Sequence, residues 1–254
     1  MRSKIFILFI VLFLFSYRLF SQTDLIAEPI NEFKTPEFLI YRIELLGIPI
    51  GWIELFLKEK TYIDNQFYYH INAKAYPNLF FKKFYNVVYD VDTYVDTKTF
   101  LPYRFQKIKF LKDNLISKVR IDFDWIKKKA FILDEFLNTK ESIDLEDGLH
   151  DLLSTLYYFR LQTVEFKRDY KLKILYGNQI WPVDIKFISS QIMDIYRKGS
   201  FKVLEFELST GLANIFLGYP KIKLYLINDS LRKPLIFYLR TNFGPVRGIL
   251  KNIS

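Results

Sequence analysis

"KVRIDFDW", residues 118–125, decides how the rest of the chain is read. Val119, Ile121, Phe123 and Trp125 alternate with Arg120, Asp122 and Asp124. A period of two is that of a pleated strand, whose successive side chains point to opposite faces. One face is therefore apolar and buried, and the other is charged and wet. A helix would scatter the same residues around its axis.

The same texture recurs on both sides of this stretch. "EFLIYRIELLGIPIGWIELFLKEK" (37–60) reads as two apolar strands around "LGIPIG", where Gly47, Pro49 and Gly51 supply the bend. "FYYHINAKAY" (67–76) is another strand, 86–125 holds several more, and "KKKAFILDEF" (127–136) follows. Downstream, strands are expected over 170–177, 179–189, 191–197, 199–209, 220–229 and 232–244. Lys171, Lys173, Lys221 and Lys223 stand at alternate positions, so the wet face carries lysine. Many regular strands with short turns predict an antiparallel sheet that is curled or closed.

Two segments echo each other, "YVDTKTFLPYRFQ" (94–106) and "LINDSLRKPLIFYL" (226–239). In each, a strand runs into an aspartate (Asp96, Asp229), then a polar turn, then a proline (Pro102, Pro234) that opens the next strand. Turn chemistry alone would produce this, because Asp bonds its own following backbone and Pro suits a first strand position. The other reading is a duplication, with two similar β-halves at about 37–136 and 170–250.

"DGLHDLLSTLYYFR" (147–160) breaks the strand pattern and predicts a helix over about 146–162, capped by Asp147. At about 100° per residue, Leu152, Leu153, Leu156, Tyr157 and Phe159 share one arc, with Asp151, Ser154, Thr155 and Tyr158 opposite. Arg160 falls inside the apolar arc. Either its stem packs while its head reaches water or the last carbonyls, or it is a buried cation that needs a carboxylate or an anionic ligand group.

His150, Asp151 and Ser154 are the residue types of a hydrolase triad. His150 and Ser154, four apart, can touch; His150 and Asp151, adjacent, do not face each other. A triad needs Asp on the far nitrogen of the His that deprotonates Ser, so no catalytic residue is assigned. Two histidines and no cysteine leave a zinc set unfilled. Asp90, Asp92 and Asp96 lie along one strand face and read as a solvated face rather than a cation site. No phosphate-binding loop is present, and neither a metal nor a cofactor is expected.

The chain begins "MRSKIFILFIVLFLFSYRLFSQ". A basic start and an apolar run at 5–15 have the form of a signal peptide over 1–21, with an uncleaved anchor as the alternative because Arg18 and Leu19 suit a cleavage site poorly. The protein is expected to be exported, periplasmic or secreted. Without cysteine it has no disulfides and no cysteine-linked lipid. Its net charge of +9 either keeps an apolar sheet soluble or attracts it to anionic lipid or glycan surfaces. Export argues against nucleic acid. The 26 Phe and 18 Tyr suit strands and the walls of apolar cavities.

"YRIELLGIPIGWIEL" (41–55), "YVDTKTFLPYRF" (94–105), "DLLSTLYYFR" (151–160) and "LRKPLIFYLRTNFGPVRGIL" (231–250) resemble, in this order, the exported bacterial proteins grouped as domain-of-unknown-function family 3108. The resemblance implies a β-rich envelope protein with no established activity. It makes Asp151, Ser154 and Arg160 family marks, not established site residues. A broader likeness to open-barrel lipid and lipoprotein carriers is an analogy of fold.

The expected architecture is one β-rich domain over 22–254. It is a strongly curved antiparallel sheet or incomplete β-barrel, with a central amphipathic helix on its concave face. The expected function is a non-catalytic binding or carrier protein for a lipid or other apolar ligand, with Arg160, Tyr157 and Trp52 as ligand-binding residues. The alternatives are a structural or assembly factor that binds envelope proteins, and a glycan-acting enzyme with two carboxylates in a cleft. Peripheral association with an anionic membrane surface is a further expected partnership.

Overall fold

A computed structural model describes residues 25–27, 32–165, 168–213, 218–219 and 221–252. The expected signal peptide lies outside the described residues. The first arm of the structure holds β2 (Glu37–Leu45), β3 (Ile48–Leu57), β5 (Gln66–Pro77), β6 (Val87–Asp96), β7 (Pro102–Leu111), β8 (Asn114–Asp124), β9 (Lys129–Asp134) and β10 (Thr139–Asp144). Short β4 (Thr61–Ile63) pairs with β5. The second arm holds β11 (Leu149–His150), β13 (Asp169–Tyr176), β14 (Gln179–Ile195), β15 (Gly199–Thr210), β16 (Lys221–Ile227), β17 (Pro234–Thr241) and β18 (Gly244–Leu250). β1 (Leu25–Ala27) and β12 (Val164–Glu165) form a separate pair. The two helices discussed below are α1 (Leu79–Lys82) and α2 (Leu152–Leu161).

The arms make one sixteen-stranded sheet. From β2 the chain steps strand by strand to β10 at one edge, crosses through 145–148 to β11 at the other edge, and returns to β18, which pairs with β2. The hydrogen-bonded ladder is open between β10 and β11. Side chains bridge that gap: Leu145, Leu149 and Leu175 pack with Phe105, Ile121, Phe123 and Ile132 of the first arm. Lys107 Nζ donates to the Tyr176 hydroxyl at 3.1 Å, and Asn178 Nδ2 to Glu141 Oε2 at 2.9 Å.

Strand alternation decides what enters the concave side. In β2, β3, β5 and β6 the odd-numbered residues face inward, and Leu39, Tyr41, Leu55, Leu57, Tyr69, Ile71 and Val95 are all buried. In β8, Ile121 and Phe123 are buried. Arg120 and Asp122 lie on the outer face, where Asp122 also takes Arg104 at 2.5 Å. Lys171, Lys173, Lys221 and Lys223 are exposed.

Three details depart from expectation. First, 179–195 is one long strand, β14, rather than two. A bulge between Phe187 and Ser189 resets its pairing with β15, which breaks the period the sequence shows. Second, β10, "TKESID", was not expected as a strand; it is a polar edge strand, and its polarity guards its unpaired side. Third, the helix starts at Leu152 rather than near 146. Leu149 and His150 pair with β13, and Asp151 is the N-cap. The Asp151 carboxylate accepts from the Leu153 and Ser154 amides at 2.8 and 3.0 Å, and Ser154 Oγ accepts from the Asp151 amide at 2.9 Å. This reciprocal capping box fixes the start. Asp147 sits on the surface with Lys128 at 2.6 Å.

Helix α2 lies on the concave face, with sheet on several sides. Leu153 and Leu156 pack on the cluster of Leu39, Tyr41 and Leu55. Tyr157 joins Leu57, Tyr69 and Ile71, and Phe159 joins Ile174, Val183 and Phe206. The buried surface is therefore not a leucine arc alone: Ser154, Thr155 and Arg160 are buried, while Leu152 is more exposed.

The two echoing turns hold the helix. Asp96 Oδ1 accepts from the Lys98 and Thr99 amides, and Asp229 Oδ1 from the Leu231 and Arg232 amides. A left-handed residue follows in each, Phe100 (φ 60°) and Arg232 (φ 45°). The Phe100 ring lies 6.5 Å from that of Tyr158, and Arg232 Nη1 donates to the Arg160 carbonyl at 3.1 Å. Antiparallel alternation places the 97–101, 125–128 and 228–233 turns at this closed end. It places the 46–47, 78–86, 112–113 and 242–243 turns at the opposite, open end.

Candidate functional site

At the closed end, α2 carries Arg160 inward and β2 begins with Glu37. The guanidinium makes a bidentate pair with the Glu37 carboxylate, both bonds 2.7 Å, and donates to the Leu231 carbonyl at 2.8 Å. It lies 4.8 Å from the centroids of the Phe33 and Tyr157 rings. Arg160 and Tyr157 are both 0% exposed. Burial would lower the Arg160 pKa, but hydrogen bonding and charge from Glu37 raise it. Burial, and the Glu37 charge after it, push the Tyr157 phenol up. Arg160 is thus the buried cation with a carboxylate partner. Its guanidinium is committed to that pair and to a backbone carbonyl.

The His150, Asp151 and Ser154 trio does other work. Asp151 caps α2 and accepts a hydrogen bond from Thr93 Oγ1 at 2.6 Å, which ties the helix to β6. Ser154 completes the capping box. His150 stacks on Tyr158 at 4.4 Å, and its Nδ1 has no hydrogen-bond partner among the described residues. Burial lowers its pKa to about 4. These contacts leave no chain from carboxylate to imidazole to hydroxyl.

A second place of interest is an outer cleft of about 510 Å³ lined by Asp96, Asp122, Asp124, Tyr103 and Trp125. Asp96 caps its turn. Burial would raise its carboxyl, but hydrogen bonds from Thr99, Lys98 and Gln66 hold it below the usual range. The Lys127 backbone and side chain hold Asp124 low as well. A general acid needs the opposite shift. On β6, Asp92 meets His70 Nε2 at 2.5 Å, and Asn72 Nδ2 donates to both Asp90 and Asp92. Among the described residues no three His, Asp or Glu side chains are placed to hold a metal ion.

The third place is at the open end. There no α2 residue joins the inward residues of β2, β3, β5 and β6. They line a groove of about 360 Å³ whose walls include Ile43, Leu45, Ile53, Ala75, Val87 and Tyr89. Phe81 and Tyr85, from the α1 connection, also line it. Gly51 lets β3 and β5 close up at its edge: a Cβ there would meet the Tyr76 carbonyl oxygen at 2.5 Å. Trp52 borders this groove, next to Gly51 on β3. The structure therefore joins Arg160 to Tyr157 at one end and puts Trp52 at the other. The other groove residues were not singled out from the sequence. "PNLFFKKFYN" (77–86), an aromatic-rich connection between two strands, is the signal that could have found them.

The model of the family described as protein of unknown function (DUF3108) matches residues 38–251. A crystal structure described as a beta-barrel-like protein of domain of unknown function DUF1849 from Brucella abortus superposes with a TM-score of 0.56 at 13% identity, covering 85% of this chain and 95% of that one. Two weaker superpositions have TM-scores of 0.35 and 0.33, each at 8% identity and covering 90% of this chain and all of the other. One is described as exported with a YmcC-like fold, from Bacteroides fragilis, and the other as a lipoprotein from Parabacteroides distasonis. No curated protein matches the sequence. The Brucella likeness supports the β-barrel-like fold and nothing finer.

Proposed function

This chain belongs to the DUF3108 family, and from that premise we propose that it is an exported cell-envelope protein that binds or carries a lipid or other apolar ligand. The observation behind this reading is the open-end groove. Its volume of about 360 Å³ falls within the range of small-molecule sites, and its walls are almost wholly aliphatic and aromatic. Elsewhere on the concave side α2 takes the space. Export rests on the N-terminal sequence, with its basic start and apolar run at 5–15. Trp52 is the sequence-assigned ligand residue that this reading keeps in contact with the site, while Arg160 and Tyr157 support it from the packed end.

The test is uptake of a fluorescent fatty acid, together with mass spectrometry of lipid extracted from protein purified without detergent. Ala75→Trp fills the groove from an inward position. It is expected to abolish uptake while the far-ultraviolet circular dichroism stays that of the native sheet. Uptake that is absent in the native protein, or unchanged by Ala75→Trp, rejects the groove as the site. The glycan-acting alternative is the weaker one, because carboxylates in the outer cleft are held low rather than raised.

A further inference from the structure

The open end carries large apolar side chains outside its groove as well as inside it. Leu79 is 86% exposed, Phe84 72% and Phe243 81%, with Leu46, Phe80 and Tyr85 each above 60%. They sit on three turns that backbone and side-chain bonds join into one rim. The Leu46 amide donates to the Pro245 carbonyl at 3.0 Å. The Asn78 amide and side chain donate to the Ile50 and Pro49 carbonyls at 2.9 and 2.7 Å. The Lys112 amide donates to the Asn86 carbonyl at 2.8 Å and brings in a fourth turn. At the closed end the exposed Ile126 and Tyr196 stand singly on separate turns, and Tyr62 of β4 pairs only with Phe67 of β5, their rings 5.0 Å apart. Scattered single residues of that kind are normal, whereas a joined cluster marks an interaction surface.

Charge selects the partner. Lys82, Lys83 and Lys112 are exposed on the same rim, and none makes an ion pair among the described residues. Asp113 is the one carboxylate in these turns. A second copy docked two-fold on the rim would set these lysines against their own images. Anionic headgroups would receive them, while the aromatic and leucine side chains reach the acyl boundary. Phe81 and Tyr85, from the connection that carries this cluster, also line the groove.

We propose that this rim docks on an anionic lipid bilayer, with the groove opening toward the membrane. The proposal deepens the apolar-ligand reading but stands on different residues. Fatty-acid uptake without vesicles therefore tests one, and vesicle docking tests the other.

The chain has no cysteine, so a single introduced thiol can be labelled cleanly. An environment-sensitive fluorophore at Phe84→Cys is expected to brighten several-fold with phosphatidylglycerol–phosphatidylcholine vesicles and to be quenched by spin-labelled acyl chains. The same label at Tyr196→Cys, at the closed end, should not respond. This contrast is independent of whether the N-terminal segment also anchors the chain. Lys82→Ala with Lys83→Ala should weaken the response at Phe84→Cys roughly thirty-fold in vesicle concentration, at about 1 kcal/mol per lysine. Equal responses at the two sites, or none at Phe84→Cys, overturn the proposal. So do a response to rising protein concentration without lipid, which indicates a second copy, and an affinity indifferent to the lysine changes.

Discussion

The two ends of one sheet have opposite fates. At both ends the odd-numbered residues of β2, β3, β5 and β6 point inward, and apart from Glu37 and Thr93 they are apolar. At the closed end Leu39, Leu57, Ile71 and Val95 are fully covered, because α2 and the two aspartate turns fill the space. At the open end Ile43, Leu45, Ile53 and Ala75 are only half-buried: no α2 residue lines their groove, and Phe81 and Tyr85 of the α1 connection flank it. Strand patterning alone therefore makes a container wall. What is stored in it depends on where the helix stops.

The largest effect should come from breaking the pair that fixes the helix end. Arg160→Met leaves Glu37 buried and uncompensated, which should cost about 3–5 kcal/mol in a urea melt. Adding Glu37→Leu should restore much of it. If Arg160→Met alone is harmless, the pair does not secure the closed end.

The next effect is set by pH. The His150 pKa falls from 6.5 to about 4 on burial. A lowered folded-state pKa in a base means that stability is complete above about pH 6.5 and drains away as pH falls toward 4. The loss should approach roughly 3 kcal/mol. Burial raises the Asp151 carboxyl instead, so that group favours folding at low pH and loses ground as pH rises. The comparison to make is native protein against His150→Phe, in urea melts at pH 7.5 and 5. The variant should lose the His150 part of the slope, and an unchanged slope would remove His150 as its source.

Gly248→Ala tests the inner wall between the ends. A Cβ there would fall 2.1 Å from the Phe237 ring, which must move. A loss of about 1–3 kcal/mol is expected in the same melt. The smallest effect belongs to the rim: Phe84→Ser should change stability by no more than about 0.5 kcal/mol. A large loss there would mean that the open end is packed rather than available.

Much of this was legible in the sequence. The alternation in 118–125 identified the wet and buried faces of β8, and the curled sheet with an inner helix followed from repeated strands and one exception. The aspartate–proline echo pointed to two turns that do share their chemistry. Other features were not legible, for physical reasons. Asp147 and Asp151 are both plausible caps by residue type. Only the pairing of Leu149 and His150 with β13 excludes the first, and that is a tertiary contact. The partner of Arg160 lies 123 residues away, beyond any local pattern. The bulge in β14 erases its own period. The groove is not legible in the sequence because its residues read as ordinary core positions, and their half-exposure depends on how far α2 extends over the sheet.

The closing pair of the sheet has one more consequence. Every ladder within each arm joins strands close in sequence, but β2 and β18 meet across about 200 residues, as the Arg247–Glu44 pair shows at a separation of 203. Loop closure over that span costs roughly 3 kcal/mol more than over ten residues. If the chain were instead joined near residues 36 and 252 and opened within 145–148, the sheet order from β11 through β18 and β2 to β10 would also be the order of synthesis. Apart from the parallel β11–β13 step across α2, the permuted molecule would be an up-and-down meander of low contact order, its free ends at the edges where the native ladder already stops. It should fold faster than the native chain, whose slow step is the meeting of its two ends.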